Sequence, residues 1–138
     1  MRVFFAHPKS MQNEQIDAEV AAIRDLFTKD LGEPVEVIAG RDDYMMHAMA
    51  AGGWKNWAKD VATRIDTGTR KPWYDVVVVP GATIGGATQV IVAHALHLKK
   101  QVLVAEIDHR EQTLEFKVAR EIICDDPENY TSGWFIDT

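Results

Sequence analysis

The sequence predicts a doubly wound α/β domain, and three observations predict it. Short apolar runs alternate with longer segments in which apolar residues recur every three or four positions. One of the runs, Val76-Val77-Val78-Val79, is four consecutive valines bounded by turn residues, as suits a central parallel strand covered on both faces. A glycine-rich turn, Gly81 to Gly86, leads from that run directly into a helical segment. The expected order is strand, helix, strand, helix, strand, helix, strand. That is a single Rossmann-like (flavodoxin-like) three-layer domain with a mostly parallel sheet of four or five strands and an edge strand near the C-terminus.

Val3 to Ala6 is a short apolar run ended by Pro8 and is the first strand. It is too short to serve as the apolar stretch of a signal peptide. From Met11 to Leu31, Ile16, Val20, Ile23 and Phe27 are spaced by four, three and four, which marks one face of a helix. Gly32 caps that helix and Pro34 prevents its continuation. Val35 to Ala39 is the second strand. Gly40 to Gly53 is a longer connection, helical in part, that holds Arg41, Asp42, Asp43, Tyr44 and three methionines. Trp54, Trp57, Ala58, Val61, Ala62 and Ile65 repeat at helical spacing, with Lys55, Asn56, Lys59, Asp60 and Arg64 elsewhere on the wheel. The two tryptophans read as core rather than as a base-stacking platform.

Thr67 to Pro72 is a loop and Asp75 to Pro80 the third strand. Thr88 to Leu98 is a nearly all-apolar, buried helix, with Lys99 and Lys100 suited to its C-terminal end. Gln101 to Ala105 is the fourth strand. Beyond Glu106 the pattern changes: Leu114, Phe116 and Val118 alternate with Glu115 and Lys117, a half-exposed strand at an edge, extended through Ile122 to Cys124 or followed by another. The tail from Tyr130 carries Trp134 and Phe135, apolar material for packing on the body or on another subunit.

A chain of 138 residues is one domain, at about 150 residues each. With 46% hydrophobic and 26% charged residues it has a globular composition. Fifteen Lys and Arg against twenty-one Asp and Glu give a net charge of -6, which argues against a nucleic-acid polymer and against a polybasic membrane anchor. No apolar run reaches the roughly 18 residues of a membrane span. The single cysteine, Cys124, has no partner in the chain, so a reducing, cytoplasmic setting is expected.

In open parallel sheets, ligands bind beyond the carboxyl ends of the strands where the strand order reverses. With order 2-1-3-4 that crevice lies between the strands ending near Ala6 and Pro80. Three polar turns converge there. The first places His7 beyond Phe5, followed by Pro8, Lys9 and Ser10. The second brings Arg41, Asp42 and Asp43. The third brings Gly81, Thr83, Gly85, Gly86, Thr88 and Gln89. Glycines let the backbone approach a ligand, and the free N–H groups of the next helix suit a phosphate or a sugar hydroxyl. The turn is neither a Walker A loop nor a GxGxxG fingerprint. Asp42 and Asp43 are candidates for ribose contacts or acid–base work, Arg41 for a phosphate, and His7 for a ligand contact or proton transfer. His94 and His97 share a helical face, but no third ligand has convincing spacing; Asp108 and His109 are only loose candidates, and no metal is expected.

Two segments together resemble the nucleoside 2-deoxyribosyltransferase-like superfamily, which includes nucleotide N-glycosidases. The opening Met1-Arg2-Val3-Phe4-Phe5-Ala6-His7-Pro8 resembles that family's first strand and turn. The block from Asp75 through Glu106 resembles its valine-rich strand, glycine turn, alanine-containing helix and following strand. The resemblance covers about half the chain. It implies hydrolysis or transfer of an N-glycosidic bond in a nucleoside or nucleotide, without a cofactor, in a homo-oligomer whose neighbouring subunit completes the site. The family's nucleophile is a glutamate near the start of the helix after the glycine turn; no glutamate lies between Asp75 and Ala105, and Gln89 is the nearest residue to that position. Gln89 cannot act as a carboxylate and is expected to orient the sugar, while Asp42, Asp43 or Glu106 is expected to supply the chemistry; the converging turns give Phe5, His7, Arg41, Gly81, Thr83, Gly85, Gly86 and Thr88 as the expected substrate contacts. Two alternatives stand beside it: a non-catalytic protein that senses or sequesters a nucleotide-like metabolite, and a structural or interaction protein.

Overall fold

The computed structural model of the chain describes residues 1–81, 83–108, 110–111, 113–124 and 133–137, with the backbone alone described at 83, 84, 107, 122–124 and 133–137. Its elements are β1 (Arg2–Phe5), α1 (Asn13–Leu31), β2 (Glu36–Ala39), α2 (Gly40–Ala51), α3 (Trp54–Thr63), β3 (Val76–Pro80), β4 (Thr83–Ile84), α4 (Gly86–His97), β5 (Gln101–Asp108), β6 (Thr113–Cys124) and β7 (Gly133–Asp137). They form one sheet of order β2-β1-β3-β5-β6-β7-β4. The first four of these are parallel and the remaining pairings antiparallel.

The valine run explains the three layers. All four valines of β3 are buried, and they alternate between two cores. Val77 and Val79 join Phe4, Trp57, Val61 and Ile91 beneath α3 and α4. Val76 and Val78 join Phe5, Ile16 and Ile23 beneath α1. Period-two alternation in a strand with no solvent-facing side makes both sets apolar. Each buried valine contributes on the order of 1.5–3 kcal/mol relative to exposure.

Helix α1 buries Ile16 and Ile23 fully and Phe27 in part, with Phe27 meeting Phe116 of β6 at 5.5 Å between ring centroids. The helix closes at Gly32, whose φ of 68° favours glycine and whose N–H donates to the Thr28 carbonyl.

Three features depart from the sequence reading. The stretch after β2 is not a connection: α2 begins at Gly40, directly on the end of the strand. Ile65 lies outside α3, is 60% exposed and forms an isolated bridge to Pro72. The sheet has seven strands rather than four or five, because β6 is not its edge. Beyond β6 the backbone of Trp134 in β7 pairs with Thr83 of the two-residue β4. The tail expected to pack on the body or on another subunit has its backbone from Gly133 to Asp137 in a strand of the sheet. The side chains of Cys124, Trp134 and Phe135, and His109 altogether, lie outside the described residues.

Among the described residues, no helix is long and apolar enough to cross a membrane. One buried group gives the core a pH limit. Tyr74 is fully buried, its hydroxyl donates to the Ala62 carbonyl at 3.2 Å, and burial pushes its pKa up to about 12. The neutral phenol is favoured by folding. Its stabilisation is complete below the unfolded value near 10 and is lost as pH rises toward 12. Urea unfolding between pH 9 and 12 should show this loss, and Tyr74→Phe should flatten it.

Candidate functional site

A cavity of 630 Å³ opens at the carboxyl ends of β1 and β3, in the crevice where the parallel strand order reverses. Its size suits a small-molecule ligand. Five pieces of chain build it: β1 with the turn after it, the start of α1, the first turns of α2, the start of α3 and the N-terminus of α4.

One wall is aromatic. Trp57, 5% exposed, and Trp54 line it from α3, and Tyr44 from α2 meets Trp57 edge-on at 5.1 Å and 88°. Another wall is the opening of α4, where Gly85, Gly86, Ala87 and Thr88 line the space. The first N–H groups of a helix have no partner within it, so this wall presents donors and the positive end of the helix dipole. Lys9 and Arg41 are the basic residues of the lining, and no Asp or Glu lines it among the described residues. For a chain of net charge -6, the lining is thus locally free of acidic side chains among the described residues.

The two flanking glycines of the turn serve different ends. Gly81 has φ of 88°, a left-handed conformation that disfavours a side chain, and its N–H donates to Ala105 at 3.3 Å. Gly85 has φ of -86° and ψ of -175°, an extended conformation open to any residue. A Cβ placed there would meet no atom of the described residues within 4 Å. The backbone favours glycine at 81, whereas at 85 its absent side chain leaves part of the cavity clear. Gly81→Ala should therefore cost roughly 1–2 kcal/mol in chemical denaturation.

His7 is held by both ring nitrogens. The Arg41 backbone N–H donates to Nε2 at 2.9 Å, so the proton of the neutral ring sits on Nδ1, which lies 3.0 Å from the Pro8 carbonyl. Burial lowers its pKa, and the nearby Arg41 charge lowers it further against the pull of the Pro8 carbonyl. A neutral His7 tying β1 to the start of α2 is a strut of the cavity rather than a free proton carrier. The Arg41 side chain is bound as well: it donates to Asp17 at 2.7 Å, Asp42 at 3.1 Å and the Asn13 side chain at 3.1 Å, spanning from α2 to α1.

Of the residues expected at the site, His7, Arg41, Gly85, Gly86 and Thr88 line the cavity together. Phe5, Asp42, Asp43, Gly81 and Gln89 do not, and the side chain of Thr83 lies outside the described residues. The reasons are geometric. Strand residues alternate faces, so Phe4 and Ala6 reach the cavity and Phe5 enters the opposite core. At about 100° per residue, a helix starting at Gly40 turns Gly40, Arg41, Tyr44 and Met45 toward the cavity and Asp42 and Asp43 away. Gln89 is rotated off the face formed by Ala87, Thr88 and Ile91 and is fully buried.

Asp43 is 5% exposed and fully engaged. Arg64 grips both of its oxygens at 2.8 and 3.0 Å, and the Trp57 indole donates to Oδ2 at 2.9 Å. Burial alone would raise its pKa; the Arg64 and Trp57 hydrogen bonds outweigh that and hold it below the usual value.

Tyr44 and Met45 were missed because the segment reads as a connection. A helix begun at Gly40 would have put them one turn beyond Gly40 and Arg41 on the same face. His94 Nδ1 lies 2.9 Å from the Val90 carbonyl within its own helix, and no group of three metal-ligating side chains forms among the described residues.

Comparison with protein-family models, with curated proteins and with solved structures found no match.

Proposed function

We propose that the chain binds a nucleoside or nucleotide in this cavity and holds it without cleaving it, as a sensing or sequestering protein would. The observation that carries the reading is the pairing of an aromatic wall (Tyr44, Trp54, Trp57) with the amide-rich start of α4 across one cavity free of described carboxylates. A planar base suits the first, and a phosphate or sugar hydroxyl suits the second. Attack on an anomeric carbon, or support of an oxocarbenium-like centre, calls for a carboxylate facing the ligand. None of the described lining residues supplies one.

Hydrolysis or transfer of an N-glycosidic bond is the second reading. It rests on the resemblance in β1 and in the block from Asp75 to Glu106, and on Asp42, which is bonded to the cavity-lining Arg41 and exposed enough to turn. Both readings belong to a cytoplasmic protein acting on small molecules. A homo-oligomer, dimer or larger, fits either of them: Met45, Met46 and Met49 are 80%, 75% and 98% exposed on α2 beside the cavity mouth.

Calorimetry with nucleosides, nucleoside monophosphates and dinucleotides tests binding. Chromatography of the same mixtures for free base tests cleavage. Binding without base release supports the proposal, base release supports the second reading, and neither result from any compound rejects both.

A further inference from the structure

Asp43 does not face the cavity, yet its bonds converge on a residue that does. Its Oδ2 accepts the indole N–H of Trp57 at 2.9 Å, and the Arg64 fork fixes the same carboxylate from the far end of α3. Arg64 is itself held by Asp60 at 2.7 Å and stacks 4.4 Å over the Trp73 ring. His47, one turn along α2, adds its Nδ1 at 3.3 Å from Oδ1. The carboxylate therefore has one orientation. An indole has a single N–H, and directing it at a fixed acceptor sets the rotation of the ring. Tyr44, next to Asp43 in α2, stands edge-on to that ring, so one residue pair sets both aromatic surfaces.

From this arrangement we infer that Asp43 is the positioning residue of the aromatic wall, governing ligand affinity through Trp57 while touching no ligand itself. The inference rests on the proposed ligand site. It gives this buried carboxylate a role other than the acid–base one expected from the sequence.

The test uses Asp43→Asn, Trp57→Phe and the double variant, with AMP as the probe and the Trp57 indole resonance as a readout that needs no ligand. Trp57→Phe keeps an aromatic ring and removes the N–H. Asp43→Asn keeps the shape and removes the charge that holds the acceptor in place. Each single variant should weaken AMP roughly 3- to 10-fold, the net worth of one ordinary hydrogen bond. The double variant should be no weaker than Trp57→Phe alone, because the path through the indole is already cut. In Asp43→Asn the indole N–H should shift and exchange faster with solvent. A merely structural Asp43 would lower stability, leave AMP affinity unchanged, and add its effect to that of Trp57→Phe. Those outcomes, or an unmoved indole resonance, overturn the inference. Failure of the parent protein to bind AMP or any other nucleotide overturns the ligand reading instead, and the indole resonance still decides whether Asp43 positions Trp57.

Discussion

Gly85→Asp is expected to abolish AMP binding while leaving the fold at least as stable as the parent. The two effects should have opposite signs because they act on different atoms. The backbone at 85 is extended, with φ of -86°, and the space beside it is open, so the substitution meets no strain. The position precedes the first turn of α4 and lacks a side-chain cap. A carboxylate there can accept the free amides of that turn, which is worth a few tenths of a kcal/mol over glycine. Those amides are the donors assigned to the ligand. Occupying them and adding a negative charge should reduce affinity for a nucleoside monophosphate at least roughly hundredfold, about 2.7 kcal/mol. Gly85→Asn separates the terms, since it occupies the amides without the charge and should lose less. Calorimetry and urea midpoints measured on the same preparations check both signs. Unchanged AMP affinity in Gly85→Asp would remove α4 from the site.

Asp43→Ala is expected to be the most damaging single change in the polar network, costing roughly 3–5 kcal/mol. Truncation leaves the Arg64 charge facing a vacated buried position, and breaking one half of a buried pair costs more than the pair contributes. The same network predicts the response to acid. The folded pKa of Asp43 lies below the ordinary 3.8, so its stabilisation is complete above that value and is lost as pH falls through the lower folded value. The gap in unfolding free energy between parent and variant should therefore be wide at pH 7 and narrow as the parent protonates below pH 4. A gap independent of pH would mean that packing, rather than the ion pair, accounts for the loss.

The parallel half of the fold was legible because its signals are local. Four valines, the stripe of Ile16 and Ile23, and the glycine turn each declare themselves within a few residues. The antiparallel half was legible only in its first strand. β7 pairs both with β6 just before it and with β4 far earlier in the chain, and no local pattern in a tail holding Trp134 and Phe135 reveals such a register. At the site, the glycine turn and Arg41 were found from residue type. Asp43 and Gln89, expected at the site, do not line the cavity, for the reverse reason. Polar residues on helices entering a crevice suggest chemistry, but which way each points depends on where the helix starts. The start of α2 at Gly40 decided it for Asp43, and the rotation of α4 decided it for Gln89.

The pairing of β4 with β7 has a consequence for the order in which the protein is made. Thr83 and Ile84, just ahead of the α4 amides, find their strand partners in Gly133 and Trp134. During synthesis the parallel layer has all its strands once β5 has left the ribosome, and domains begin to fold as their segments emerge. The stretch before Gly85 must wait for β6 and β7. Because such distant pairings form slowly, the binding end of the cavity would mature after its aromatic wall. A nascent chain stalled before β7 should already have a native-like indole environment at Trp57 and still bind nucleotide poorly.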